Sequence, residues 1–205
     1  MDYKTTPSPA RAEYVEKRSR FIASVTPAGN EDEAVDFIEK TKTEFYDARH
    51  NVFAYVIKGG AERFSDDGEP QGTAGMPTLE VLRRRGVVNT AVVVTRYFGG
   101  ILLGAPGLVR AYTHAVTAAL DAAGVITMRH CDILRLCCGY DFYSRADSLC
   151  RTFCGFINER RFEEKVTLEL YMPKDKTAGF SAALTEASGG SVSAVTDGET
   201  FIKEK

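Results

Sequence analysis

The run Ala91–Thr95 (AVVVT) limits the fold of this chain more than any other segment. Small and β-branched residues without polar alternation leave no face for water, so the run is expected to be a buried strand. It leads into TRYFGGILLGAPGLVRAY, Thr95–Tyr112, in which Gly99, Gly100, Gly104 and Gly107 predict a glycine-rich turn over Gly99–Gly107. A helix is expected to follow over Leu108–Ala123. Leu108, Tyr112, Ala115, Val116, Ala119 and Leu120 recur there at helical spacing, and Gly124 is a C-cap candidate.

Upstream, Met1–Pro9 reads as a frayed tail and Arg11–Val25 as one or two strands. Asn30-Glu31-Asp32-Glu33 starts a helix. Asn30 caps it, Glu33 holds the capping-box position, and the acidic first turn suits the positive end of the dipole. Asn51–Ile57 is a strand, Ser65–Gly75 a polar loop, and Met76–Arg85 a helix stopped by Gly86. After Gly124 the texture changes. A strand over Cys131–Tyr140 and a helix over Ser144–Cys154, capped by Ser144, come first. Hairpin strands Phe156–Phe162 and Val166–Met172, a helix over Asp175–Ser188 and a strand from Ser191 follow. This β-α-β-β-α-β order is the ferredoxin-like arrangement. The expected class is α+β, with domains at 1–126 and 127–205 and a boundary between Gly124 and Arg129.

The chain carries 26 basic and 28 acidic residues, nearly balanced on either side of Met128. That excludes a basic tail or a bulk polyanion binder, so a nucleic-acid surface must be a local patch. No apolar run approaches the roughly 18 residues that span a bilayer, and the N-terminus lacks a signal-peptide core, so no membrane partner is expected. The five cysteines all lie between Cys131 and Cys154, an odd and clustered set unlike a secreted disulfide framework. Reduced thiols in the cytoplasm are the expectation. Without a CxxC pair, and with His130 the one histidine in that half, they read as buried apolar thiols rather than zinc ligands.

Four segments carry candidate chemistry. Unpaired amides at Gly107-Leu108-Val109 form a candidate anion site, with Arg96 and Arg110 adding charge. The alternative is a turn that packs backbone on backbone. The segment is neither a Walker A loop nor a dinucleotide fingerprint. Asp66, Asp67 and Glu69 are candidate ligands for Mg²⁺ or Ca²⁺, or an acid–base pair, set against a plain turn whose side chains cap amides. Asp47, Arg49 and His50 form a candidate cluster in which His50 acts as a base or contacts phosphate, or in which an Arg–carboxylate pair fastens a loop. Arg83, Arg84 and Arg85 end a helix, where they suit the dipole or contact phosphate. No GxSxG, HExxH or protease cysteine signature is present, and no cofactor is called for.

DARHNVFAYV (Asp47–Val56), FSDDGEPQGTAGMP (Phe64–Pro77) and RYFGGILLGAPGLVRAY (Arg96–Tyr112) together resemble the YigZ/IMPACT family. The resemblance covers roughly Arg18–Gly124, and the remainder is similar to the small C-terminal domain of the bacterial YigZ branch. It implies an N-terminal domain of the ribosomal-protein-S5 domain-2-like type followed by a ferredoxin-like domain. That order is similar to the last two domains of elongation factor G, which touch the ribosome. Eukaryotic members of the family regulate translation during amino-acid stress.

The leading expectation is a non-enzymatic, translation-associated regulator that binds structured RNA or the ribosome. Its surface is expected to comprise Arg49, His50, Arg96 and Arg110, with Arg83–Arg85 at the edge. The alternatives are a small-molecule enzyme that holds a phosphate-containing ligand and Mg²⁺, and a protein-interaction module.

Overall fold

The computed structural model describes residues 1–204 and divides into two compact units, Tyr3–Thr127 and Met128–Lys205 together with Met1–Asp2. Each unit is a mixed α+β fold built on antiparallel strands.

In the first unit the chain runs β1 (Tyr3–Thr5), β2 (Ala10–Glu16), β3 (Ser19–Pro27), α1 (Glu31–Glu44), β4 (His50–Val56), β5 (Glu62–Ser65), α2 (Gly75–Arg85), β6 (Thr90–Tyr97) and α3 (Gly104–Ala123). One sheet has the order β2-β3-β6-β4-β5, and every neighbouring pair in it is antiparallel. The central β6 contains the AVVVT run. Its burial comes from helices on both faces of the sheet. Val92 and Val94 pack with α2 and α3, whereas Ala91 and Val93 pack with Ala34 and Ile38 of α1. The side-chain period of two therefore assigns even-numbered β6 residues to the α3 face. His50, Val52 and Ala54 of β4 share that face, because His50 pairs with Arg96 and Ala54 with Val92.

The start of α1 follows the sequence expectation. Asn30 accepts from the Glu33 amide at 2.9 Å, and Glu33 accepts from the Gly29 amide at 2.7 Å. The tail reading is corrected: Lys4 bridges to Val87, and Thr5 and Thr6 are buried beside Thr90. Strand β5 was not anticipated. Helix α3 begins one turn before Leu108, with Gly104-Ala105-Pro106-Gly107 as its first turn, a place that tolerates proline. Gly124 does not adopt a left-handed helical cap.

The second unit runs β7 (Ile126–Cys138, from the end of the first unit), α4 (Tyr140–Thr152), β8 (Phe156–Phe162), β9 (Val166–Pro173), α5 (Thr177–Ala187) and β10 (Ala194–Lys203). The order β10-β7-β9-β8 is that of a ferredoxin-like sheet. Leu134, Leu136, Val166, Leu168, Leu170 and Met172 alternate along β7 and β9 to form a core with Ala146, Cys150, Phe180 and Leu184 of the helices. Helix α4 starts four residues before Ser144, and its N-cap, Gly139, has no side chain to bond the first amides; Phe142 and Tyr143 of its first turn pack on this core. The thiol reading is corrected in part. Cys131, Cys138 and Cys150 are buried, but Cys137 and Cys154 are exposed, and Cys154 lies beyond the end of α4. Among the described residues no helix is long and apolar enough to cross a membrane.

Burial pushes the Cys150 thiol up to about 11 and raises Cys131 and Cys138 as well. Thiol reagents need both access and thiolate. Titration of the native protein with an aromatic disulfide at pH 8 is expected to show two fast thiols, Cys137 and Cys154, with the other three reacting only in denaturant.

Candidate functional site

The site lies at one end of the first sheet, where β4, β6, the loop after β5 and helix α3 meet. Arg96 continues the row Val92-Val94 on the α3 face, so its side chain runs under the helix instead of into solvent. It is 7 % exposed, and Glu69 is 3 % exposed. Arg96 Nη1 donates to Glu69 Oε1 at 2.6 Å, and the Tyr112 hydroxyl from α3 donates to the same oxygen at 2.8 Å. Burial and the Glu69 charge push the Tyr112 phenol well above its ordinary range, so it keeps its proton. The Arg96 guanidinium also lies over Phe21 and Phe98, 5.4 and 5.7 Å from their ring centroids. Its Nε is buried and has no hydrogen-bond partner among the described residues.

His50 sits opposite Arg96 in the β4–β6 register. Its Nδ1 is 2.7 Å from the Asp67 carbonyl oxygen. That oxygen only accepts, so Nδ1 carries the proton and Nε2 faces Glu69 Oε2 at 4.0 Å. Around these groups is a cavity of about 400 Å³. Its polar lining is Arg49, His50, Glu69 and Arg96; Phe98, three leucines and the start of α3 at Gly104 and Ala105 supply most of the rest.

The acidic loop resolves as main-chain capping. Asp66 accepts from the amides of Gly72, Ala74 and Gly75 at 2.8, 3.0 and 2.8 Å, supplying the cap that Ala74 cannot give α2. Asp67 accepts from the Asn51 amide at 2.6 Å. With Glu69 held by Arg96 and Tyr112, the weak metal reading of Asp66, Asp67 and Glu69 is corrected. Among the described residues no group of three or more acidic, histidine or cysteine side chains is arranged to hold a metal.

The expected cationic surface is also rearranged. Arg96 is internal. Arg83 pairs with Glu62 and Glu80, and Arg85 with Asp121. Asp121 is seventeen residues along α3 from Gly104, roughly 25 Å at the helical rise, so Arg83, Arg84 and Arg85 lie far from the cavity. The Asp47–Arg49–His50 cluster does not form, since Asp47 accepts from Tyr97 and His50 binds Asp67. Arg49 and Arg110 remain exposed.

The glycine loop does two things. Gly99 packs backbone on backbone: a Cβ there would lie 2.1 Å from the Arg18 carbonyl carbon. Gly104 opens α3 at φ +70°, which glycine adopts without steric cost. Gly100 precedes it in the turn, and Gly107 is buried within the first turns of the helix. Sequence reasoning missed the two cations of the turn whose Arg18 main chain packs on Gly99. Lys17 and Arg18 form the two-residue connection between β2 and β3, both at positive φ, +45° and +68°. Asn-Gly is the usual choice at such positions. A Lys-Arg pair between two alternating segments was the available signal.

The Impact N-terminal domain family matches residues 17–120, and a domain of unknown function, DUF1949, matches 136–191. The chain belongs to the IMPACT family. It is 38 % identical to the IMPACT family member YvyE of Bacillus subtilis, over 99 % of this chain and 94 % of that protein. It is also 38 % identical to the IMPACT family member YigZ of Escherichia coli, over 86 % and 88 % of the two. A crystal structure described only as that of a hypothetical protein aligns over 100 % of this chain and 98 % of its own, at a TM-score of 0.61 and 34 % identity. The site of this IMPACT family chain thus lies wholly within the segment matched by the N-terminal family domain.

Removing one partner of a buried ion pair strands the other charge, at a cost of about 3–5 kcal/mol. Urea denaturation of Glu69→Ala is expected to show a loss of that size. Glu69→Ala combined with Arg96→Ala is expected to lose less than the two single changes added together.

Proposed function

We propose that the protein is a translation-associated regulator without chemistry of its own, and that its N-terminal domain docks on structured RNA of the ribosome. The observation that carries this reading is the surface around the Phe98–Leu102 loop. Lys17 and Arg18 occupy a strained turn that packs on Gly99, beside Phe98, which is 47 % exposed. Arg49 and Phe98 both line the cavity beneath this surface. Among the described residues Lys17, Arg18, Arg49 and Arg110 form no salt bridge. Strained backbone that presents charge is a recurrent feature of functional surfaces. Unpaired cations beside an exposed ring match the chemistry of phosphate and base contacts. The near-neutral chain then favours recognition of a shaped local target over bulk polyanion binding.

Within this reading Arg96 is a support and not a contact, and Arg110 extends the patch along α3. Residues 127–205 form the second domain, and the site of action is the cytoplasm. A protein partner is the second reading, favoured by Ile101 and Leu102, which are 41 % and 83 % exposed.

Co-sedimentation with purified ribosomal subunits across a salt series tests the proposal. Binding is expected to weaken with salt, and Arg49→Ala or Arg18→Ala is expected to reduce the slope of log K against log salt by about 1. Binding that ignores salt and is lost on Leu102→Ser selects the protein partner. No binding at low salt by the folded protein contradicts the proposal.

A further inference from the structure

The cavity beneath this surface is more than the seam of a docking patch. Its buried wall contains a guanidinium that the fold leaves incompletely satisfied. Arg96 gives Nη1 to Glu69, while its Nε, fully enclosed, finds no acceptor among the described residues. A buried donor left without an acceptor is costly to the fold. The lining also includes the first turn of α3, a 20-residue helix whose N-cap, Leu103, supplies no side-chain hydrogen bond. Gly104 and Ala105 of that turn line the cavity, so the amide end of the helix adjoins it.

The charges do not cancel inside. Glu69 is matched by Arg96, leaving Arg49 and the helix terminus as the positive groups, with the His50 imidazole held beside them by Nδ1 on the Asp67 carbonyl. That excess suits one or two negative charges. The remaining lining is apolar: Phe98, Leu102, Leu103 and Leu108. At about 400 Å³ the space lies in the range of small-molecule sites. An anionic head and a flat, weakly polar body are the shape and charge of a nucleotide.

We propose that this cavity binds the monophosphate of a single nucleotide, with phosphate toward Arg49, Arg96 and the start of α3 and the base against Phe98 and Leu102. Two sources share that chemistry: a free nucleoside 5′-monophosphate and the phosphorylated 5′ end of an RNA. The site is stated independently of ribosome docking and does not require it.

Isothermal titration of the full chain with each nucleoside 5′-monophosphate, the matching nucleosides and inorganic phosphate tests the site. Short oligoribonucleotides with and without a 5′-phosphate form a second arm. The monophosphate group is expected to bind about tenfold or more tightly than nucleoside or inorganic phosphate, the size of one lost charge-assisted contact. Binding of free monophosphates assigns the small molecule as a source; preference for the phosphorylated oligonucleotide alone assigns the RNA end. The Arg96 Nε–H resonance is expected to shift on addition.

Ala105→Glu places a carboxylate in the first turn of α3, where it favours the helix but repels phosphate. That variant is expected to keep its melting temperature and lose binding about tenfold or more. The inference is overturned if neither monophosphates nor 5′-phosphorylated RNA bind at millimolar concentration. It is also overturned if binding survives Ala105→Glu, or if the Arg96 resonance does not move. Ribosomal-subunit binding that persists in any of these cases shows that the docking proposal stands without it.

Discussion

A single carboxylate oxygen, Glu69 Oε1, ties together three parts of the chain that are distant in sequence. It accepts from Arg96 on the central strand and from Tyr112 on the long helix, while the loop that carries it is pinned by Asp66 and Asp67. Neither member of the ion pair is free to leave. Moving the loop would strand a buried guanidinium, and moving the helix would strand a phenol whose proton the buried carboxylate holds in place. The cavity, the position of His50 and the entry of α3 all follow from that junction. Such a pair adds little net stability over an apolar core, but it fixes one arrangement, because each partner is costly to leave alone.

Much of this was legible. The core strand, the capped start of α1 and the ferredoxin-like order came from periodicity and local cap chemistry. So did the carboxylate turn, whose plain alternative turned out to be the structure. The arginines were misread for a reason that local sequence partly contained. Arg96 is two residues beyond Val94, itself two beyond Val92, so the strand parity that buries the valines also points the arginine inward. Continuing that alternation past Thr95 would have shown it. The Glu69 partnership spans 27 residues, and the Arg83–Glu62 contact 21, and no local pattern encodes such distances. The start of α3 was missed because glycine and proline were weighed as turn formers, although both are tolerated in the first turn of a helix.

The cations that remain available are few and local. Lys17 and Arg18 are set by a turn whose backbone would favour Asn-Gly, and that turn rests on a glycine that tolerates no side chain. The position of the patch is thus fixed by main-chain contact, while its charge is free to meet a partner. The same loop presents Phe98, Ile101 and Leu102 to solvent. On the proposed reading, a chain close to neutral overall binds an anionic, shaped target through this patch without attracting polyanions at large.

Amide hydrogen exchange of the full chain, with and without purified ribosomal subunits, tests this account most directly. It predicts slowed exchange at 17–19, at 49–51 and across 98–105 when subunits are present, with the core strands unchanged. Protection confined to 128–204, or no protection at 17–19, 49–51 and 98–105 at subunit concentrations where the chain co-sediments, would contradict it.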